Sequence, residues 1–177
     1  MQRFIDIKRD LEHLLQNLSS YDIELIVNEL RKAKKVFFAG MGRSGLYLKA
    51  FAMRLMQMGF DCHVVGETTT PAIQHNDLLF ISSKSAKSKS LTNYAKTARE
   101  QNARVILVSG SLDSTLSELS DTEIILQSDE KIDNSKLPLG SLFELATAML
   151  FEVVVMELMK IKNETNKSMS ARHANLE

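Results

Sequence analysis

The sequence predicts a doubly wound α/β fold, a parallel five-stranded sheet sandwiched by helices, as one domain over residues 1–177. Three observations predict it. Short apolar runs alternate with longer segments of helical period, the pattern of a parallel sheet covered on both faces. The first run ends in a glycine-punctuated turn, Gly40-Met41-Gly42-Arg43-Ser44-Gly45, that leads straight into an apolar helical segment. A length of 177 residues, 44% hydrophobic and 25% charged, suffices for one full core and is not a disordered composition.

The elements follow in order. Leading helices are expected over 5–33. The segment 5–18 places Ile5, Leu11, Leu14, Leu15 and Leu18 near one helical face. Ser19 and Asp22 have the spacing of a capping box that opens the second helix, 22–33. The sheet core, 35–127, contains strands at 35–39, 61–65, 77–82, 104–109 and 123–127. Helices are expected at 44–58 and 88–101, with a short one at 114–119. Gly59 stands where a helix C-cap glycine belongs. The stretch 127–136 is a polar, loop-like insertion. A long helix at 138–161 and a polar tail at 162–177 complete the chain, which shows no internal repeat and no long linker.

Two helices are apolar around most of their circumference. Phe51, Met53, Leu55, Met56 and Met58 leave the first almost no polar face, and Phe143, Leu145, Met149, Leu150, Phe151, Val153, Val154, Val155 and Met156 do the same for the second. A helix covering a sheet needs one apolar stripe. The surplus predicts burial against another copy of the chain. The methionines read as packing material rather than a cofactor site.

Composition narrows the partners. Lys+Arg and Asp+Glu both number 22, so the net charge is zero, whereas proteins that bind the nucleic-acid backbone carry a basic excess. The cluster Lys84, Lys87, Lys89, Lys96 and Arg99 reads as a solvated helix face. A single cysteine, Cys62, excludes an internal disulfide. Charges interrupt residues 1–10 before any secretory apolar core, and Glu144, Glu152, Glu157 and Lys160 punctuate the most apolar stretch, so no membrane span is expected. The expected location is the cytoplasm.

The turn at 40–45 carries the chemistry. Glycine lets a backbone bend tightly and approach a ligand. The following helix directs free N–H groups and its positive dipole end to that spot, and Arg43 and Ser44 add a forked cation and a hydroxyl. This is a place for a phosphate. The spacing is also that of a dinucleotide fingerprint, with Glu67 near the position of the ribose-binding acid. A second hydroxyl-rich strand-to-helix loop, Ser82-Ser83-Lys84-Ser85-Ala86-Lys87-Ser88, favours one compact phosphorylated ligand held from both sides, because open parallel sheets bind ligands at the carboxyl ends of their strands. A solvated polar loop is the plain alternative.

The residues Gly40 to Gly45, with Phe51-Ala52-Met53-Arg54-Leu55-Met56, resemble the sugar isomerase (SIS) domain family, and within it the 6-phospho-3-hexuloisomerases. Val65-Gly66-Glu67-Thr68-Thr69-Thr70-Pro71, Pro138-Leu139-Gly140-Ser141-Leu142-Phe143-Glu144 and Arg172-His173-Ala174-Asn175-Leu176-Glu177 extend the resemblance to the end of the chain. It implies a Rossmann-like sandwich that is usually a tetramer, no metal or organic cofactor, and a phosphorylated hexulose as substrate. The implied reaction interconverts 3-hexulose 6-phosphate and fructose 6-phosphate, the second step of formaldehyde fixation through ribulose monophosphate.

The resemblance also implies roles: Glu144 and His173 as catalytic groups, and Gly42, Arg43, Ser44, Ser83, Ser85 and Ser88 as substrate or phosphate ligands. Moving a carbonyl along a sugar requires a general base, and a carboxylate serves. Residues alone give Glu144 another reading, since Ser141 and Glu144 have capping-box spacing. His173 in a polar tail is ordinarily solvated unless the tail docks, for example into a neighbouring subunit. The second loop departs from the family's Ser-Gly-Ser-Gly pattern, with Lys84 and Ala86 at the glycine positions. If both positions need positive φ, strain of order 1 kcal/mol each follows. Otherwise the loop takes another path and Lys84 or Lys87 supplies charge. Loss of these glycines leaves open a sugar-phosphate sensor that binds without turnover, although the leading helices are too short and acidic for a DNA-binding module.

Overall fold

The computed structural model describes residues 1–127 and 137–176. Two helices, α1 (Gln2–Leu15) and α2 (Ser20–Lys32), precede β1 (Val36–Gly40) and α3 (Gly42–Gln57). There follow β2 (Cys62–Val64), β3 (Leu78–Ser83), α4 (Lys89–Glu100), β4 (Arg104–Ser109), α5 (Thr115–Leu119) and β5 (Thr122–Ile125). A 3₁₀ turn, Pro138–Gly140, leads into α6 (Ser141–Lys162), and a short α7 (Asn166–Ser170) closes the chain.

The five strands are all parallel, in the order β2-β1-β3-β4-β5. After β1 the chain winds outward to β2, then returns across β1 to β3 and continues the other way. The ends of β1 and β3 therefore flank the switch point, where the connecting helices diverge to opposite faces and leave a crevice.

Alternation along the strands divides the core in two. Val36, Phe38, Leu78, Phe80, Ile106, Val108 and Ile124 face a layer that includes α2, α3 and α6. Phe37, Ala39, Leu79, Ile81, Val105 and Leu107 face α4 and α5. Both faces are covered, which is why the strands read as continuous apolar runs. Phe51 of α3 stacks on Phe151 of α6 with centroids 4.3 Å apart, and both rings pack edge-on to Phe80. This contact sets two parallel helices side by side with their N-termini at the same edge of the sheet.

Most expected elements stand within a few residues of their predicted bounds. The Ser19–Asp22 capping box is formed, and Gly59 takes its positive φ of 82° just past α3. Two expectations need correction. The first helix begins at Gln2 rather than residue 5, and Ile5 is exposed instead of facing the core. The long helix begins at Ser141, because Leu139 (φ 54°) and Gly140 (φ 72°) are left-handed and interrupt a helix that would start at 138. Within the polar tail 162–177, α7 buries Met169 against the core. The apolar surplus of α3 and α6 is present as expected: Phe51, Leu55, Phe151 and Val154 are buried, while Met53, Met56, Met149, Val153 and Met156 stay exposed in the single chain. The expected loop at 127–136 lies, beyond Gln127, outside the described residues.

Pro138–Lys162 is, among the described residues, the stretch long and apolar enough to cross a membrane, with mean hydropathy 1.8. It packs along the sheet, with one side in the core.

Candidate active site

The site grows from the carboxyl edge of the sheet, where Gly40 of β1 pairs with Ser82 of β3 and Ser83 with Ser109 of β4. After Gly40 the chain reverses sharply. Gly42 opens α3 with φ 57°, a conformation that costs glycine little. Gly45 lies so close to β1 that a side chain there would run into the Gly40 carbonyl oxygen. These contacts pull the first turn of α3 down onto the strand end and turn Ser44 inward, where it is buried.

Ser44 meets Glu144. The Ser44 hydroxyl donates to Glu144 Oε1 at 3.2 Å, and Arg43 donates to Oε2 through Nε (3.3 Å) and Nη2 (3.2 Å). Arg43 Nη2 also donates to the Leu139 carbonyl at 2.7 Å, bracing the left-handed turn before α6. Glu144 is only 6% exposed. A buried carboxylate is costly unless it is paired and hydrogen-bonded, and here both oxygens are engaged.

Glu144 does not cap its helix. Gly140 holds the N-cap position, Ser141 is already the first helical residue, and neither makes a side-chain cap. The register is shifted by one from the capping-box reading, and the carboxylate is free to turn toward α3.

The second loop points its groups the other way. Ser83 follows Ile81 on the face of α4, and its hydroxyl accepts from the Ala86 N–H at 3.2 Å. Ser88 is the N-cap of α4, accepting from the Leu91 N–H. Ser85 is exposed between them. Of the two residues standing at family glycine positions, Ala86 is left-handed (φ 50°) and Lys84 is not. The expected strain therefore falls on one position, and the loop keeps its hydroxyls grouped at the start of α4.

Glu144 and His173, the two residues expected to act together, are not brought together within one chain. His173 is exposed, and its Nδ1 lies 3.0 Å from the Ala174 carbonyl. Arg172 ties the tail to the Gln57 carbonyl (2.7 Å) and to Glu164 (3.0 Å). The Arg172 and Ser168 donors hold the Glu164 carboxyl below its ordinary range. Gln57 ends α3 and Ser44 begins it, so along the helix axis the tail anchor is roughly 20 Å from Glu144's hydroxyl partner.

The residues of the dinucleotide reading are spent elsewhere. Glu67 pairs with Lys49 at 2.8 Å, and that ammonium lowers its carboxyl pKa. Among the described residues no three His, Cys, Asp or Glu side chains converge as a metal cage would require.

Two features of this edge come from the tertiary arrangement: the buried Ser82 and the path of Lys84, which the sequence marked only as a possible source of charge. Ser82 ends the alternation Leu78, Phe80 on the α3/α6 face, wholly buried and with no hydrogen-bond partner for its hydroxyl. Lys84 lies against Gly140 and Gly110, at the mouth of the crevice.

The SIS domain profile matches residues 29–156. The 3-hexulose-6-phosphate isomerase of Bacillus subtilis is 33% identical over 97% of this chain and 96% of its own length. That of Mycobacterium gastri is 36% identical over 88% of this chain and 80% of its own. A solved structure from Methanococcus jannaschii, from which a function of 3-hexulose-6-phosphate isomerase was inferred, aligns with a TM-score of 0.89 at 30% identity and covers both chains in full.

Proposed function

The chain belongs to the SIS domain family and is a sugar-phosphate isomerase, and from that premise we propose that it interconverts 3-hexulose 6-phosphate and fructose 6-phosphate with Glu144 as the general base. The observation that carries the assignment of Glu144 is its buried carboxylate at the switch point, oriented by Ser44 and Arg43.

The chemistry is an internal transfer of a proton pair. Glu144 takes the proton from C2 of the 3-ketose, the C–H electrons form a C2=C3 double bond, and the C3 carbonyl oxygen becomes an oxyanion. A proton passes from the C2 hydroxyl to that oxygen. The C2=O bond then forms as C3 takes back a proton, which leaves the 2-ketose. No electrons leave the sugar, so the reaction needs no external oxidant or reductant. His173 is assigned the second proton transfer. Its place on the docked tail suits service in a neighbouring subunit's site rather than its own.

Because Arg43 and Ser44, expected to hold the phosphate, are engaged by Glu144, in this reading the phosphate sits on Ser83, Ser85 and Ser88 at the start of α4, and the α3 turn of Gly42, Arg43 and Ser44 faces the sugar. The exposed apolar side chains of α3 and α6 support a homo-oligomer, which we take to be a tetramer working in the cytoplasm in the ribulose monophosphate route. A coupled assay that detects fructose 6-phosphate formed from enzymatically generated 3-hexulose 6-phosphate tests the reaction. Binding of fructose 6-phosphate without turnover would instead make the chain a sensor.

A further inference from the structure

Lys84 stands where the family pattern has glycine, and its side chain has been given a path. Its carbonyl accepts from the Gly110 N–H at 3.1 Å, which fixes its backbone to the end of β4. From there the alkyl stem crosses Gly110, and Nζ reaches the place where a side chain on Gly140 would begin. A side chain at 140 would displace the ammonium from this place. The stem therefore leads away from Ser85 and Ser88 and toward the first turn of α6, which carries Glu144.

This is an unfavourable place for a lone cation. The N-terminus of a helix is the positive end of its dipole and repels an ammonium. Arg43 already brings a second cation to the adjoining Leu139 carbonyl. Among the described residues no carboxylate or other acceptor pairs with Nζ, and Glu144 is occupied by Ser44 and Arg43. On the same face of the same strand end, the Ser82 hydroxyl is fully buried and unpartnered. The edge is thus rich in donors and short of acceptors. An anionic oxygen at this edge would give the Lys84 ammonium the acceptor it lacks.

We propose that Lys84 binds the reacting oxygens of the sugar and stabilises the enediolate, supplying by a side-chain charge what a glycine at this position cannot. This rests on the isomerase reading and deepens it. The ammonium donates hydrogen bonds to the developing oxyanion and keeps its proton, so the balance of the reaction is unchanged. Because it acts on charge that develops in the transition state, its effect belongs mainly to kcat.

The test compares the full-length protein with Lys84→Met, which keeps the stem, and Lys84→Arg, which keeps the charge. Each is measured for kcat, KM, inhibition by inorganic phosphate and thermal unfolding. The expected result is a kcat about 10²-fold lower in Lys84→Met, the usual effect of losing one oxyanion donor, with KM and phosphate inhibition little changed, equal unfolding temperature and partial recovery in Lys84→Arg. A raised KM with matching loss of phosphate inhibition would overturn the inference and make Lys84 a phosphate ligand. Unchanged kinetics would overturn it and leave a solvated side chain. An inactive parent protein would overturn the isomerase reading itself, a result distinct from a difference between variants of an active parent.

Discussion

The hydroxyl of Ser44 and the carboxylate of Glu144 meet at 3.2 Å although 100 residues of chain separate them. The contact ties the first turn of α3 to the first turn of α6 and fixes which way the carboxylate faces. A hydrogen bond to a charged group contributes about 1.5–3 kcal/mol, and Glu144 is too buried for water to replace the hydroxyl readily. Ser44→Ala should therefore lower unfolding free energy by an amount in that range, read by denaturant titration. It should also reduce kcat, because the carboxylate keeps Arg43 as its remaining partner and loses its fixed orientation.

Ser85 and Ser88 separate binding from folding. Ser85 is exposed, and its replacement by alanine should leave stability within about 0.5 kcal/mol. Ser88 caps α4, so Ser88→Ala should cost about 1 kcal/mol. Both variants should bind fructose 6-phosphate at least tenfold more weakly by calorimetry, as expected when one charge-assisted hydrogen bond is lost. Unchanged affinity in both would move the phosphate off this loop.

The sheet was legible because its central strands β1, β3 and β4 are buried on both faces and read as apolar runs, whereas the edge strands β2 and β5 are only partly buried. The alternation with helices then dictated parallel winding, and the winding placed the crevice at the ends of β1 and β3. Glu144 was harder to read. Ser141-x-x-Glu144 has capping-box spacing, but the left-handed pair Leu139 and Gly140 moves the helix start by one residue, and no local pattern announces this. The path of Lys84 depends on Gly110 and Gly140 meeting in space, a tertiary fact. His173 is placed by Arg172 reaching a main-chain carbonyl at the far end of α3, which sequence spacing does not encode.

Cys62 should be inert in the folded protein. Burial, and secondarily the Asp61 carboxylate, push its thiol pKa up to about 12. The thiolate is the reactive form. Near pH 8 the native thiolate fraction is of order 10⁻⁴, against about 10⁻¹ for an exposed cysteine. Iodoacetamide at that pH should label the unfolded chain about 10³-fold faster than the folded one, read by mass spectrometry. Labelling of the folded protein should accelerate as pH rises toward the thiol's raised value. Rapid native labelling at pH 8 would contradict the raised thiol pKa.

Met149, Val153 and Met156 are 49%, 44% and 65% exposed and follow the i, i+4, i+7 spacing of one helical face. Met53 and Met56 of the parallel α3 are exposed as well. Solvating such a surface is unfavourable, and a second copy is the proposed cover. Sedimentation at micromolar concentration should show an oligomer for the natural sequence. Val153→Glu with Met156→Glu should yield a folded, smaller species with unchanged far-ultraviolet circular dichroism. A monomeric natural protein would refute the proposed assembly, and with it the route by which a neighbour's His173 reaches Glu144.

Glu144→Gln tests the base most directly. Glutamine keeps the size of the side chain and an oxygen for the Ser44 hydroxyl, but it cannot take a proton from carbon. It also leaves Arg43 without its carboxylate partner. Arg43 is partly exposed, so water compensates much of that loss and the structural cost should be modest, about 1 kcal/mol. If Glu144 is the base, kcat should fall by about 10²–10⁴, the usual effect of a positioned general base, while fructose 6-phosphate still binds. If the carboxylate serves only to fasten α3 to α6, stability should fall while turnover per folded molecule is retained. Unfolding free energy and kcat measured on the same preparation separate the two cases, because the first predicts a large change in rate with a small one in stability. A Glu144→Gln protein with full turnover would transfer the search for the base to another group at the ends of β1 and β3.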